Sequence, residues 1–213
     1  MTEKALDCGW FRLNSLLGYR YLSYANNITI QQTRFPFTSV GAIPGTQIVS
    51  VDDFRARNDF HGLDMGFRGQ VLWQNFSLDL LGKVAVGNLT RQVNITGSQV
   101  TTTPGLADVS LPGGVLALGS NMGQRSSNIW TAVPELGTTL NWYVRPNLAL
   151  NVGYSILLLT QTANAGDQID TRINPALFPP PTQFPGVPNR PAFSFHHADT
   201  WVQSISVGLV FTY

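Results

Sequence analysis

Charged residues are scarce in this chain, and long apolar runs are absent from it. Only 12% of its 213 residues are charged, against about 25% in an ordinary soluble domain, and the hydrophobic fraction of 43% is not raised to compensate. The longest apolar runs, such as residues 155–160 (SILLLT), fall far short of the roughly 20 residues that a membrane-spanning helix needs. Any membrane span in this chain must therefore consist of strands.

Residues that carry chemistry are also few. The single cysteine, Cys8, cannot form an internal disulfide, and a net charge of +1 without a Lys/Arg cluster excludes a basic nucleic-acid surface. The spacing of His196, His197 and Asp199 is a poor one for a metal site. The sequence contains no Gly-rich phosphate loop, nucleophile elbow or catalytic-triad spacing. We therefore predict no enzymatic activity, no cofactor, no metal ion and no nucleic-acid partner.

The last thirteen residues, 201–213, alternate between two unlike faces. Apolar side chains fill the odd positions from Ile205 onwards, whereas serine, glycine and threonine occupy most even positions. This period of two is the signature of a β-strand. The segment resembles the carboxy-terminal strand of bacterial outer-membrane β-barrels, and a soluble edge strand at a chain terminus is the alternative.

The same alternation divides the chain into six long strands, at residues 10–30, 48–73, 76–103, 128–144, 148–162 and 201–213. Residues 74–75 and 145–147 supply turn chemistry, whereas the other connections include Gly-, Ser- or Pro-rich stretches of twenty or more residues. Short turns on one side and long loops on the other are typical of transmembrane barrels and uncommon in soluble sandwiches. We therefore predict an all-β fold, namely an antiparallel up-and-down transmembrane β-barrel, or an open part of one, with short periplasmic turns and long extracellular loops.

Aromatic residues recur at intervals that suit a membrane. Trp130 and Trp142 lie twelve residues apart on one face, and the same interval separates Trp201 from the carboxy-terminal tyrosine. Phe60 precedes Trp73 by nearly this interval, although the difference in parity requires a bulge between them. At roughly 3.3 Å per residue and a tilt of about 40°, twelve residues rise about 30 Å, the thickness of the hydrocarbon layer. We predict two interfacial girdles, formed by Phe60, Trp73, Trp130, Trp142, Trp201, Phe211 and Tyr213.

The opposite face is rich in glycine, serine, threonine and asparagine, with isolated charges. A water-exposed surface of a soluble domain usually carries more charge, whereas a lumen can use sparse charges that pair across neighbouring strands. We therefore place the apolar face in lipid. The predicted lumen-facing residues are Arg12, Arg20, Asp64, Arg68, Asp79, Lys83, Glu135 and Asn151. A soluble lipocalin-like barrel, whose apolar face surrounds a small ligand, is the alternative.

Several short motifs follow one another along the chain. They are LLGYRYL (16–22), FRARNDFHG (54–62), LDLLGKVAVGN (78–88), VPELG (133–137), GDQID (166–170) followed by INP (173–175), and RPAF (190–193). Together they resemble the outer-membrane family described as putative beta-barrel porin seven. The resemblance implies a barrel that is a porin by fold and has no catalytic residues.

These patterns predict a porin-like passive channel for small solutes in the bacterial outer membrane. The alternatives are a structural or adhesive barrel with loops facing partners, and the soluble ligand-binding barrel. Expected partners are the lipid bilayer, the barrel-assembly machinery at the carboxy-terminal strand and, in an oligomer, further copies of the chain. Residues 1–7 lack the apolar region of a secretory signal, and single-chain barrels begin at about eight strands. We therefore expect residues 1–213 to form one barrel domain without its signal peptide and amino-terminal strands.

Overall fold

The computed structural model describes residues 2–37, 42–181 and 189–211, and nearly all of its regular structure is β. Its eight antiparallel strands lie in the order β1-β2-β3-β4-β6-β7-β8, and β5 pairs with β4 outside this path. The strands are β1 (Thr2–Asp7), β2 (Phe11–Arg34), β3 (Gln47–Trp73), β4 (Phe76–Thr102), β5 (Val109–Pro112), β6 (Gly123–Arg145), β7 (Leu148–Thr162) and β8 (Ala198–Phe211). The helical elements in the described ranges are two short 3₁₀ turns, Gly166–Gln168 and Pro175–Leu177, and no helix there is long and apolar enough to cross a membrane.

The predicted all-β fold with six long antiparallel strands is confirmed. Two-residue turns join β3 to β4 at residues 74–75 and β6 to β7 at residues 146–147. Three strands extend beyond their predicted bounds: β2 ends at Arg34 rather than residue 30, β6 begins at Gly123 rather than residue 128, and β8 begins at Ala198 rather than residue 201. The added segments are polar, and alternation of apolar and polar residues gives little signal there. The short strands β1 and β5 lie outside the six predicted strands.

The sheet is strongly curved, and its polar face lies on the concave side. Arg20 on β2 donates to the Glu135 carboxylate on β6 at 2.5 Å, although β3 and β4 lie between these strands. In a flat sheet the backbones of β2 and β6 would be about 14 Å apart, at roughly 4.8 Å per strand. The two side chains can therefore meet only if the sheet curls towards them. The fold is an open β-barrel whose inner surface carries these residues.

The outer surface changes character along the strands. Towards the short turns it exposes large apolar residues, among them Leu63, Met65 and Phe67 on β3. Beyond a cross-strand row in which Tyr21 pairs with His61 and Asn88 pairs with Trp130, the outer positions become polar. On β4 they are Thr90, Gln92, Asn94 and Thr96, which pair with the charged run Asp53, Arg55, Arg57 and Asp59 on β3.

The inner surface changes in the opposite sense at about the same level. Below the row it is polar, whereas above it most inner side chains of β3 and β4 are apolar and contribute to two buried clusters, with the polar side chains of Asp52, Asn58 and Arg91 buried among them. One cluster contains Phe60, Ala85, Leu89, Val133 and Leu159. The other contains Phe54, Ala56, Val93, Ile95, Ala117, Ala163 and Ala165. The part of the sheet nearest the long loops therefore packs like a water-soluble domain, and the part nearest the turns is reversed.

The two long connections fold over the inner face and are fixed there through their backbones. Asp52 is buried and accepts hydrogen bonds from the backbone N–H groups of Val115 and Ala117, at 3.0 and 2.8 Å. Asn58, fully buried, donates to the carbonyl of Ala163 and accepts from its N–H. Because buried backbone groups must be hydrogen-bonded, these two side chains let the backbone at Val115, Ala117 and Ala163 lie against the sheet.

Candidate functional site

The eight predicted lumen residues share the inner face. Residues that lie opposite each other in neighbouring strands point to the same face of the sheet. Lys83 lies opposite Glu135, and Asn141 lies opposite both Ser77 and Asn151. Asn14 lies opposite Arg68, and Gln70 lies opposite both Arg12 and Asp79. Arg12 has a separate local partner, since its Nε lies 3.7 Å from the Asp7 carboxylate. The face assignment rests on this continuous pairing, and the role of these residues in a lumen stays a prediction.

Four of the eight form one ionic layer across the concave side. Arg20, whose side chain is 8% exposed, lies 3.0 Å from Asp64 and 2.5 Å from Glu135. Lys83 bridges the same two carboxylates at 3.5 and 3.3 Å. Two cations and two anions make the layer neutral, which is the condition under which buried charges are tolerated. The alternation of positions along each strand predicts that these four residues share one face, but only the curvature of the sheet brings β2 and β6 together.

A polar cavity of about 620 Å³ lies on the turn side of this layer. Its lining includes Arg68, Asp79 and Glu135, with hydroxyl groups from Thr139, Ser155 and Ser206. Asp79 accepts a hydrogen bond from Asn141 Nδ2 at 2.7 Å. Arg68 is exposed to solvent and has no ion pair with any residue in the described ranges. Since Arg20 and Lys83 neutralise Glu135, Arg68 and Asp79 are the charges most available to a solute in this cavity.

An apolar layer closes the inner face on the side of the long connections. Leu22 and Tyr24 of β2 pack against the cluster of Phe60, Leu89 and Leu159. The predicted lumen-facing residues do not include this layer, which continues the inner face of β4 beyond residue 88. A signal is present in the sequence: large apolar residues occupy even positions from Leu78 to Val86, and odd positions 89, 93 and 95 beyond it, with Arg91 between them. Such a change of parity without a bulge reverses which face is apolar.

The prediction of Phe60 as a girdle residue is wrong. No register shift interrupts the pairing of β3 with β4, so Phe60 stays on the inner face, where it is fully buried. Its neighbour His61 lies outside, exactly twelve residues before Trp73, and forms the row with Tyr21 instead. Tyr19 Oη and His61 Nδ1 are 2.5 Å apart, and the rings of Tyr21 and His61 lie 4.7 Å apart.

The other predicted girdle residues lie on the outer face where they are described. Trp73, Trp130, Trp142, Trp201 and Phe211 are all exposed, and Phe76, which was not predicted, stacks on Trp142 with ring centroids 6.1 Å apart. Tyr213 lies outside the described residues. The outer face therefore carries one aromatic row near the turns and a second about twelve residues further along the strands, as an interfacial assignment requires.

Comparison with known proteins identifies one family. The model of the family described as Putative beta barrel porin-7 matches residues 3–213. No curated protein and no solved structure matches the chain. Within the described ranges, no group of three or more His, Cys, Asp or Glu side chains is placed to hold a metal ion.

Proposed function

Because this chain belongs to the Putative beta barrel porin-7 family, we propose that it forms the wall of a porin-like passive channel for small polar solutes in the bacterial outer membrane. The observation that carries the proposal is the opposite polarity of the two faces between the aromatic rows. The outer face exposes Leu136, midway between Trp130 and Trp142, whereas the inner face at this level holds the ionic layer and the polar cavity. A soluble barrel has the reverse arrangement.

The bilayer explains why the exposed apolar side chains do not destabilise the protein. Large exposed apolar patches on a soluble monomer are rare and mark interaction sites, and this patch runs over several adjacent strands. Strands β1 and β8 each have one hydrogen-bonded neighbour in the described ranges. Since unpaired backbone groups are excluded from hydrocarbon, the proposal requires further strand pairing at both edges in the membrane.

The solute path follows from the charges on the inner face. Net neutrality of the ionic layer favours neutral or zwitterionic solutes, and the hydroxyl and amide groups of the cavity supply hydrogen bonds. Arg20 Nη1 and Asp64 Oδ1 are buried and have no hydrogen-bond partner in the described part of the chain. These two atoms retain capacity to bind a solute at the level of the ionic layer.

Conductance in planar bilayers tests the proposal. Arg68→Gln removes the cation in the cavity that has no ion pair, so reversal potentials in a salt gradient should shift towards cations. Arg55→Gln is the matched control, because it removes one positive charge from the outer face of the same strand and should leave selectivity unchanged. Equal selectivity of both variants in a conducting channel would contradict the assignment of the inner face as the path.

A second candidate function is a closed structural barrel. The packed apolar layer around Phe60 and the hydrogen-bonded connections above it favour this alternative. The same bilayer experiment separates the two functions. A protein that inserts and folds but carries no current would support the closed barrel.

A further inference from the structure

Residues of two short sequence motifs, GDQID (166–170) and RPAF (190–193), meet in the long connection between β7 and β8 and line a cavity of about 530 Å³. We call this cavity the loop pocket, and its charged side chains are Asp167, Asp170, Arg172 and Arg190. We propose that the loop pocket binds a zwitterionic solute, whose carboxylate contacts the two arginines and whose ammonium group contacts Asp167. As a capture site for the channel, the loop pocket rests on the proposed function.

The walls of the loop pocket are fixed before a solute arrives. Gln168 is buried, donates to the carbonyl of His196 at 2.7 Å and accepts from the N–H of His196 at 3.2 Å. The same segment is attached to the sheet, because the side chain of Asn26 on β2 accepts from the N–H of Ala165 at 2.8 Å. A site that is held in place in this way loses little conformational entropy on binding.

The loop pocket lies on the water side of the membrane interface. Asn26, which holds the connection, lies five residues beyond Tyr21 of the aromatic row, a rise of about 13 Å at roughly 3.3 Å per residue and a tilt of about 40°. Dissolved solutes therefore reach the pocket without entering the bilayer.

Two guanidinium groups converge on one carboxylate in the wall of the pocket. Arg172 Nε lies 3.1 Å from Asp170 Oδ1, and Arg190 Nη1 lies 2.8 Å from Asp170 Oδ2. Among the described residues, the side-chain hydrogen bonds of both arginines use these nitrogens alone, and the Arg172 side chain is 72% exposed. Each guanidinium therefore keeps further N–H groups for an anion, and a carboxylate matches the geometry of such forks.

The charge balance of this cluster differs from that of the ionic layer. The ionic layer has two carboxylates for its two cations, whereas within the described ranges Arg172 and Arg190 share the carboxylate of Asp170 alone. Asp170 is also saturated, because it accepts from the backbone N–H groups of Arg172 and Ala192 in addition to both guanidinium groups. One carboxylate from a solute completes the balance of two cations and two anions.

Asp167 supplies the negative pole of the loop pocket. Its carboxylate is exposed, and its hydrogen bonds in the described part of the connection consist of one that Oδ2 accepts from Asn164 Nδ2 at 3.2 Å. The ion pairs of the described residues do not include Asp167, so its carboxylate can accept an ammonium group. Asp167 and Asp170 are three residues apart, which limits the distance between their Cα atoms to about 10 Å.

The charge pattern favours a zwitterion over a simple anion. The four charged side chains of the loop pocket sum to zero, so attraction of dissolved anions from a distance is weak. A solute that carries both charges, in contrast, gains an interaction at each pole. The short distance between the poles fits amino acids and short peptides, in which an ammonium group and a carboxylate belong to one small molecule.

Ligand-observed NMR titration of the full chain in lipid nanodiscs at neutral pH tests the site with three probes. The probes are dialanine, N-acetyl-dialanine, which lacks the ammonium group, and dialanine amide, which lacks the carboxylate. We expect dialanine to bind about ten-fold more tightly than either analogue, because each analogue loses one charged hydrogen-bonding group. Arg172→Gln should remove the preference for dialanine over its amide, and Asp167→Asn should remove the preference for dialanine over the acetylated probe.

Each variant has a matched control. Arg55→Gln matches Arg172→Gln, because Arg55 is also exposed and its Nε also contacts a carboxylate two residues earlier, that of Asp53. Asp108→Asn matches Asp167→Asn, because Asp108 is an exposed carboxylate in the other long connection. Both controls should keep the full preference for dialanine.

Equal affinities of the unmodified chain for all three probes, or unchanged preferences in both the Arg172→Gln and Asp167→Asn variants, would overturn the proposal. Binding of the acetylated probe as tightly as dialanine would show a simple anion site and overturn it as well. Conductance of the same protein in planar bilayers distinguishes this failure from that of the proposed function. A conducting channel that does not prefer dialanine refutes the loop pocket alone, whereas preferential binding without current supports the pocket and refutes the channel.

Discussion

Replacing Leu136 by arginine tests the lipid assignment with a magnitude that the structure fixes. Leu136 lies on the outer face of β6, six residues from both Trp130 and Trp142, and it is 62% exposed. If that exposure were to water, a polar substitution would change the free energy of unfolding by no more than about 0.5 kcal/mol. At the midplane of a bilayer, arginine on the lipid face of a barrel costs about 2 to 4 kcal/mol. The second value corresponds to a change of about thirty-fold to nearly a thousand-fold in the folding equilibrium.

Asn128→Arg is the matched control on the same strand. Asn128 also lies on the outer face and is exposed, but it stands beyond the aromatic row. We expect its substitution to cost less than about 1 kcal/mol, because the penalty falls to about 0 to 1 kcal/mol near the interface. Urea unfolding of the protein from lipid vesicles, extrapolated linearly to water, gives both values. Equal values for the two variants, both within about 0.5 kcal/mol of wild type, would refute the lipid assignment.

Two further predictions concern charges on the inner face and in the loops. Glu135→Gln should destabilise the protein by about 1.5 to 3 kcal/mol in the same unfolding assay, because it leaves Asp64 as the one carboxylate partner of Arg20 and Lys83 in the ionic layer. Asp79→Asn, the control, should cost under about 1 kcal/mol. Equal costs for the two variants would contradict the ionic layer. The backbone N–H of Ala192, with Arg190 and Arg172, holds the pKa of Asp170 well below its ordinary value. The contact of Asp170 with Arg190 and Ala192 therefore stabilises the protein fully above about pH 4, and this stabilisation is lost as the pH falls further. The protection factor of the Ala192 N–H, which compares its exchange with the intrinsic rate at the same pH, should therefore fall as the pH drops below about 4 in the wild type and be low already at neutral pH in Asp170→Asn. A wild-type protection factor that does not change in acid would contradict this role.

The sequence predicts the strands well because two independent signals coincide. Apolar alternation marks each strand, and turn residues such as Asn75 and Pro146 mark the ends. The early start of β6 was missed because residues 123–127 (GQRSS) carry no apolar alternation. Their place in the sheet depends on pairing with β4, where Ile95 lies opposite Gly123. Pairing between residues so far apart in sequence produces no local sequence pattern.

On the inner face, the alternation of residues along a strand predicts which side chains share the face but not which of them make contact. Parity identifies Arg20 and Glu135 as residues of one face, but their contact depends on the curvature of the sheet across two intervening strands. The distance of Phe60 from Trp73 predicts a girdle position for Phe60, whereas its even position in β3, which it shares with Asp64 and Arg68, predicts the inner face. The unbroken register of β3 places Phe60 on the inner face and His61 on the outer face, as the alternation of positions along the strand predicts.

Cysteine substitutions at two adjacent positions of β7 test the central claim, that the concave polar face contacts water and the convex apolar face contacts lipid. Asn151 lies on the inner face opposite Asn141, and Val152 lies on the outer face opposite Leu140. Both variants are made with Cys8 replaced by Ser, because Cys8 is an exposed free thiol. In vesicle-reconstituted protein, we predict that Asn151→Cys reacts with a small water-soluble thiol reagent and that Val152→Cys reacts only with a lipid-soluble one. Reaction of Val152→Cys with the water-soluble reagent, while Asn151→Cys stays unmodified, would contradict the account.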